Sequence, residues 1–444
     1  MSRLFGTDGI RGVANGDLQP SLAFALGRAT ARRLAGPGRA LVVGQDTRRS
    51  GDMFVAAIAA GATSLGADVH LAGVLPTPAL AYIAGEDDFA GAIMVSASHN
   101  PAADNGLKVL DERGMKLDDT VEEELESLIL QADELGGVPP EAIGRVHDRS
   151  AELRDRYVRH LSGLAAHIRT DLHVVLDCAN GAGSQVAPEI VAATGARVET
   201  IHAAPDGSNI NLACGATAPA SLAAEVLARG ADIGFALDGD ADRCVAVDAT
   251  GTVVDGDQLI GMLALERIGR GALPGGLVVV TVLSNGGLGA AMEAAGGSVI
   301  RTPVGDKYIL EGLLVSEAGL GGEKSGHVIM REHSSSGDGI LTALEVLRTV
   351  AEAGAPLADL AGRIALFPQE QRAVRVRHKD AWEGDPDIRR AIASAERRLG
   401  PGGRVLVRPS GTEPALRVMI EGSDAALVAE LADAIAALAE ERLH

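Results

Sequence analysis

The sequence predicts an α/β protein: three related α/β domains with mixed or parallel sheets, plus a smaller C-terminal α+β domain, set around a central cleft. Three observations carry this expectation. From residue 21 onward, short apolar strands alternate with stretches of helical periodicity, the pattern of βαβ units and mainly parallel sheets. Three times an apolar strand opens into a Gly-containing polar turn, and a later strand opens into a loop rich in Ser, Asp or Glu, a weak internal repeat. Over residues 369–444 the pattern changes to short alternating strands and one amphipathic helix. The domains predicted are 1–150, 151–253, 254–368 and 369–444.

In the first domain, residues 21–34 read as a helix, with Leu22, Ala25, Leu26 and Ala29 at helical spacing. Residues 40–43 form a short buried strand that ends in Gly44-Gln45-Asp46-Thr47-Arg48. A helix over 52–65, a strand near 69–71 and a helix after Pro78 follow, and then a strand over 92–95. The stretch 135–150, rich in Gly, Pro and charge, reads as a domain link, and 151–168 as the helix that opens the second cycle. That cycle has a strand at 173–176 opening into Asp177-Cys178-Ala179-Asn180-Gly181, and one at 232–237 opening into Asp238-Gly239-Asp240-Ala241-Asp242-Arg243. The third begins with a strand at 277–282 and reaches Gly321-Gly322-Glu323-Lys324-Ser325-Gly326-His327. In the last domain, strands at 404–407 and 417–420 flank Arg408-Pro409-Ser410-Gly411-Thr412-Glu413-Pro414. Ser423 is placed as the cap of a helix carrying Leu427, Leu431, Ile435 and Leu438 on one face.

Composition narrows the function. The chain has 444 residues, 46% of them hydrophobic but only 2% aromatic, so its cores are aliphatic. The 56 glycines against 18 prolines suggest tight strand-to-helix turns rather than disorder. A formal net charge of −20 argues against nucleic acid or an anionic membrane as the main ligand. An anionic small molecule held by a local cluster of Arg and Lys is still compatible. Cys178, Cys214 and Cys244 are widely spaced and read as small buried residues in a reducing compartment. No stretch approaches a membrane span, and the N-terminal residues lack an apolar signal core, so a cytoplasmic location is expected.

The chemistry lies in the loops. Val95-Ser96-Ala97-Ser98-His99-Asn100-Pro101 follows a buried strand and reads either as a helix start capped by Asn100 or as a nucleophile loop. In the second reading Ser98 sits at a strand's carboxyl end, where open α/β sheets place ligands. Asp238, Asp240 and Asp242 alternate, and in an extended loop would point the same way. Three converging carboxylates repel one another unless a cation neutralises them, and Mg²⁺ shared with a phosphate suits such a set. An EF-hand is disfavoured, because Arg243 and Ala249 stand where Gly and Glu are needed; a dehalogenase-type motif is disfavoured by Asp242 in place of Thr. The alternative is a solvated acidic turn. Arg408 to Pro414 can cradle a phosphate dianion through a guanidinium and exposed N–H groups, and is equally a hairpin turn. Phe5 to Gly12, containing Asp8 and Arg11, is of the same kind. Lys108 is either a surface lysine or a general acid/base whose pKa neighbouring cations lower. His99 and His327 read as hydrogen-bonded loop histidines.

Together these loops make the chain resemble the α-D-phosphohexomutase superfamily over essentially its whole length. Phe5 to Gly12, Ser96 to Pro101, Asp238 to Arg243, Gly322 to His327 and Arg408 to Pro414 match its loops in order. Pro205 to Asn211 and Thr302 to Asp306 are similar to segments of the branch that acts on glucosamine phosphates. The resemblance implies a phosphotransferase-type isomerase that moves phosphate between C6 and C1 through a sugar bisphosphate. The runner-up substrates are mannose and glucose phosphates. A non-catalytic sugar-phosphate sensor on the same fold is disfavoured by the presence of Ser98, Lys108 and the three aspartates. The resemblance implies that Ser98 is a phosphoserine which, with Asp238, Asp240 and Asp242, holds one Mg²⁺ per chain. Lys108, Arg11 and Arg243 surround the transferring phosphoryl group. Glu323, Ser325 and His327 contact the sugar, and Arg408, Ser410, Gly411 and Thr412 hold the other phosphate. Two departures stand out: Lys324 occupies a place where the branch commonly has Gln, and Ala216-Thr217-Ala218 replaces Ser-Thr-His. The partner implied is a small phosphosugar, with no nucleic acid or membrane and with a homodimer as the candidate assembly.

Overall fold

The computed structural model describes residues 4–6, 8–36, 38–400, 402–410 and 414–443. They form two compact units, one of residues 1–283 and 295–363, the other of 284–294 and 364–444.

The larger unit holds three α/β sheets. The first comprises β1 (Ile10–Val13), β2 (Ala40–Gln45), β3 (Asp68–Val74), β4 (Phe89–Val95), β5 (Asp104–Leu110) and β6 (Val146–Asp148), in the order β1-β5-β4-β2-β3-β6. The second comprises β7 (His173–Asp177), β8 (Arg197–Ile201), β9 (Ile233–Leu237), β10 (Cys244–Asp248) and β11 (Val253–Val254), in the order β11-β10-β9-β7-β8. The third comprises β12 (Leu277–Thr281), β13 (Ser298–Thr302), β14 (Leu320–Gly322) and β15 (Val328–Met330), in the order β13-β12-β14-β15.

One topological feature recurs in all three. Strands β2, β3 and β4 run parallel, as do β7, β8 and β9, and β12, β13 and β14. The last parallel strand of each set then turns back into an antiparallel partner: β4 into β5, β9 into β10, β14 into β15. The Ser98, Asp238–Arg243 and Glu323–His327 loops are those three reversals. These turns therefore join strand to strand, and the helix start offered as one reading of the Ser98 loop does not form. Periodicity hides the returning strand β5, because Asn105 and Lys108, both polar, are buried within it. The expected link at 135–150 likewise contains a strand, since β6 adds to the sheet edge in parallel with β3.

Packing follows the aliphatic composition. Helices Pro20–Thr30 and Gly51–Thr63 cover one face of the first sheet. They approach so closely that a Cβ on Gly27 would lie 2.2 Å from the Ile58 carbonyl oxygen, and one on Gly61 would lie 2.1 Å from that of Phe24. Glycine at both positions lets the helix backbones touch. The three cysteines are buried and unpaired.

In the smaller unit, β16 (Gln369–Arg375), β17 (Arg404–Pro409) and β18 (Ala415–Glu421) form an antiparallel sheet ordered β16-β18-β17. Helix Gly286–Ala294 belongs with it: Glu421 accepts from Gly286 N at 3.0 Å, and Asn285 exchanges two 2.9 Å bonds with the Phe367 backbone. The last helix, Ala425–Leu443, is capped by Asp424, which accepts from Ala426 N and Leu427 N, and not by the exposed Ser423. Its buried stripe runs Val428, Leu431, Ala432, Ile435 and Ala439, with Leu427 and Leu438 at the margins.

Candidate active site

The buried strand β4 delivers Ser98 into a loop with no helix after it, so Asn100 is not a helix cap. Ser98 is 1% exposed and adopts a left-handed φ of 49°. That conformation is costly for a residue with a Cβ and persists only where surrounding contacts over-determine it. Here they do. Ser98 N donates to Ser96 Oγ at 2.9 Å, which donates to Asp46 Oδ2 at 2.7 Å. The Arg48 guanidinium pairs with Asp46 at 2.8 Å and donates to the carbonyls of Ser98, Asn100, Pro101 and Asp104. Asn211 Nδ2 reaches the Ser98 and Asn100 carbonyls from the second sheet's side, at 2.9 and 3.1 Å. Gly239 completes the fit, because a Cβ there would lie 2.5 Å from the Ser98 carbonyl oxygen.

Beyond β9, one carboxylate oxygen from each of Asp238, Asp240 and Asp242 lies within 4.8 Å of the other two. The convergence comes from a tight turn with Ala241 at φ 55°, not from the extended run the spacing suggested. Ser98 Oγ donates to Asp238 Oδ2 at 2.6 Å. Asp240 Oδ2 accepts from Thr77 Oγ1 at 2.6 Å and from Lys108 Nζ at 3.0 Å. Burial, then the charges of Asp242 and Asp240, pushes Asp238 well above the usual carboxylate range. Burial acts the same way on Asp242, but His327, Lys108 and Arg243 outweigh it and hold that carboxyl low. Among the described residues, the buried oxygens Asp240 Oδ1 and Asp242 Oδ1 have no hydrogen-bond partner. A hard divalent cation fits this cluster: oxygen-only donors, repelling charges, and two lone-pair-bearing atoms left unmet.

Lys108 lies on β5, register-paired with Met94 on β4. It contacts Asp240 and, at 3.1 Å, Asp8. Burial alone would lower its pKa, but Asp240, Asp8 and Asp242 raise it, so the lowering by neighbouring cations that the sequence reading required does not occur. Arg11, on β1, pairs with Asp8 and reaches Asn100 Oδ1 at 3.4 Å. Lys116 bridges Asp8 (2.5 Å) and Asp306 (2.6 Å). His99, with its pKa pushed down to about 4 by burial and by Arg243 and Arg11, is neutral at pH 7. At the third reversal, Ser325 Oγ donates to Glu323 Oε2 at 3.3 Å, while the Lys324 ammonium turns toward Asp255, 3.8 Å away. His327 is buried; its Nε2 accepts from Gly337 N at 3.1 Å and its Nδ1 faces Asp242 at 3.5 Å. Both ring nitrogens are thus engaged by the protein.

In the smaller unit, Arg408 stands opposite Arg417 in the β17–β18 register. Burial, then the Arg417 charge, lowers the Arg408 pKa. Ser410 N donates to the Ala415 carbonyl, and Lys379 Nζ donates to the Ser410 carbonyl at 2.6 Å. Gly411 and Thr412, also expected to bind phosphate, lie outside the described residues.

The sequence reading assigned no role to Asp46, Arg48, Thr77, Asn211, Lys116 or Asp306. A signal for the first pair was present: Asp46 and Arg48 directly follow a buried strand, as the other motif loops do.

Four profiles of the phosphoglucomutase/phosphomannomutase family match this chain in order: α/β/α domain I over residues 2–136, domain II over 155–251, domain III over 255–367 and the C-terminal domain over 373–438. The chain is 51% identical over 427 residues to the phosphoglucosamine mutase of Moorella thermoacetica, covering 96% of each. It is 49% identical over 440 residues to that of Mycobacterium marinum, covering 98% of each. A crystal structure of a phosphoglucomutase/phosphomannomutase family protein from Burkholderia thailandensis superposes with a TM-score of 0.85 at 26% identity, over 100% of this chain and 99% of that one.

Proposed function

We infer the reaction of this chain from the premise that it belongs to the phosphoglucomutase/phosphomannomutase family: it interconverts glucosamine 6-phosphate and glucosamine 1-phosphate. Ser98 carries the phosphoryl group, donates it to the free hydroxyl of the bound monophosphate, and recovers a phosphoryl group from the other end of the resulting 1,6-bisphosphate. The observation that carries this reading is Ser98 Oγ, held 2.6 Å from a buried carboxylate in a strained loop supported from two sheets. Such strain and burial are unrewarding in an ordinary turn and useful where a nucleophile must be positioned.

Phosphoryl transfer is chiefly positioning and charge neutralisation. Asp238, Asp240, Asp242 and the Ser98 phosphate are the proposed ligands of one Mg²⁺, which when bound offsets the charge developing on the phosphoryl oxygens. Arg11 and Arg243 add cationic charge there. Lys108, held as an ammonium by Asp240 and Asp8, serves as a fixed cation instead of a base with a lowered pKa. Glu323 and Ser325, side by side, suit adjacent sugar hydroxyls, and His327 keeps Asp242 oriented. Arg408, Ser410, Gly411 and Thr412, in segment 369–444, are the clamp for the phosphate that is not reacting. Segments 1–150, 151–253 and 254–368 supply the other four loops. Peptide mapping should place one phosphoryl group on Ser98, and Ser98→Ala should abolish turnover. The kcat/KM for glucosamine 6-phosphate should exceed those for mannose and glucose 6-phosphates. Full activity of Ser98→Ala, or a preference for mannose 6-phosphate, would overturn the reading.

A further inference from the structure

A second group of ligand atoms lies outside the site just described. Asp177 ends β7 and is fully buried; its Oδ1 accepts from Ala179 N at 2.9 Å and its Oδ2 from Gly215 N at 2.8 Å. His202, the residue after β8, places Nδ1 3.1 Å from Asp177 Oδ1. That nitrogen is buried and makes no well-aligned hydrogen bond. Cys214, also fully buried, comes from a third segment, and one ligand atom from each of the three residues lies within 4.8 Å of the other two. Residues 177, 202 and 214 are far apart in sequence, so spacing offers no hint of the cluster.

The donor set is one carboxylate oxygen, one imidazole nitrogen and one sulfur. That mixture suits a borderline-soft tetrahedral cation and differs from the oxygen-only set of Asp238, Asp240 and Asp242. The 3.1 Å between oxygen and nitrogen is close to the edge of a tetrahedron built on metal–ligand bonds of about 2.0–2.1 Å. The His202 side chain is 32% exposed while Asp177 is 0% exposed, so the group lies just beneath the surface on the His202 side. We propose that Asp177, His202 and Cys214 form a site for a thiophilic divalent cation of the zinc class. On binding, the Cys214 thiol proton leaves to solvent and Sγ, Nδ1 and a carboxylate oxygen take three coordination positions. The ion then cross-links β7, the end of β8 and the segment that also carries Asn211, one of the residues that hold the Ser98 loop.

The test uses Co²⁺ as a spectroscopic probe on the full chain, with Zn²⁺ as competitor. One equivalent of Co²⁺ should produce thiolate-to-cobalt charge-transfer absorption and intense tetrahedral bands, both abolished by Zn²⁺. Cys214→Ser should remove the charge-transfer absorption, and His202→Ala should weaken Co²⁺ affinity at least tenfold. Asp240→Asn should leave the absorption unchanged, because it belongs to the other cluster. Absence of the charge-transfer band in the unmutated protein, its persistence in Cys214→Ser, or its loss in Asp240→Asn would overturn the proposal. Should Cys214→Ser fail to fold, His202→Ala decides alone, since its ring is partly exposed, and unchanged affinity there would also overturn it.

Discussion

Arg48→Met separates the support of the nucleophile loop from the chemistry. Arg48 and Asp46 form a wholly buried pair, both side chains 0% exposed, and the guanidinium donates to four backbone carbonyls. Removing one partner of a buried pair costs about 3–5 kcal/mol. Ser98 and Asn100 keep Asn211 as a donor and Pro101 keeps Asp104 N, so the further loss falls on the part-buried Asp104 carbonyl, at about 1–3 kcal/mol for an acceptor left unmet. Two effects limit the total. Burial already pushes the Asp46 carboxyl above the usual range despite Arg48 and Ser96, so the stranded group takes up a proton, and water can enter the vacated space. The expected loss is therefore about 4 kcal/mol at neutral pH, near the low end of the summed terms. A displacement of Ser98 by about 1 Å would lower kcat on the order of 100-fold. Fluorescence is the wrong assay, because the single tryptophan, Trp382, lies in the smaller unit. Hydrogen exchange of peptides covering β4 and β5, together with kcat/KM, reads the effect directly. Asp46→Asn added to Arg48→Met removes the buried charge and should recover about 2 kcal/mol of the loss. A loss below about 1 kcal/mol with unchanged kcat, or a double variant no better than the single, would refute the reasoning.

Asp240→Asn preserves shape but removes one of three charges, so Mg²⁺ dependence should weaken and kcat fall sharply with circular dichroism unchanged; near-normal kinetics would reduce the cluster to an acidic turn. Arg408→Ala should raise KM by about 10- to 150-fold, the equivalent of a charge-assisted contact of about 1.5–3 kcal/mol, and should release sugar bisphosphate, whereas Lys108→Met should act mainly on kcat. Unchanged KM and no bisphosphate release in Arg408→Ala would remove the clamp assignment. Asp338 has its pKa raised to about 6 by burial, against hydrogen bonds from Leu341 N, Tyr157 and Ile340 N. Between the ordinary carboxylate value and about 6 the folded state holds a proton that the unfolded state has lost, so this group's contribution to stability declines as pH rises through that window. Asp338→Asn should thus gain on the unmutated protein between pH 4 and pH 7 by up to about 3 kcal/mol, measured by unfolding in chelator; a constant difference across that range would contradict the assignment.

The legible part of this protein was its loops. Ser98, the Asp238–Arg243 run and the Glu323–His327 run each follow a strand apolar enough to be recognised, and each is short and local, so one stretch of sequence contains all of its donor groups. The alternation of strands and helices likewise conveyed three α/β domains and a different C-terminal one. The returning strands were hidden, because β5 buries Asn105 and Lys108, and a buried polar residue breaks the alternation that marks a strand.

Residue type and short spacing alone identify the groups that carry chemistry: a hydroxyl, three carboxylates and the cations near them. Their state depends on the fold. Lys108 was open to a lowered pKa until Asp240 and Asp8 were found beside it. Ser98 was open to two readings, part of a helix start or a nucleophile loop, until Arg48, 50 positions away, and Asn211, 113 positions away, were found on its carbonyl. The reason is physical: charge state and strain are set by burial and by neighbours in space, and those neighbours come from strands that pair only when the chain folds.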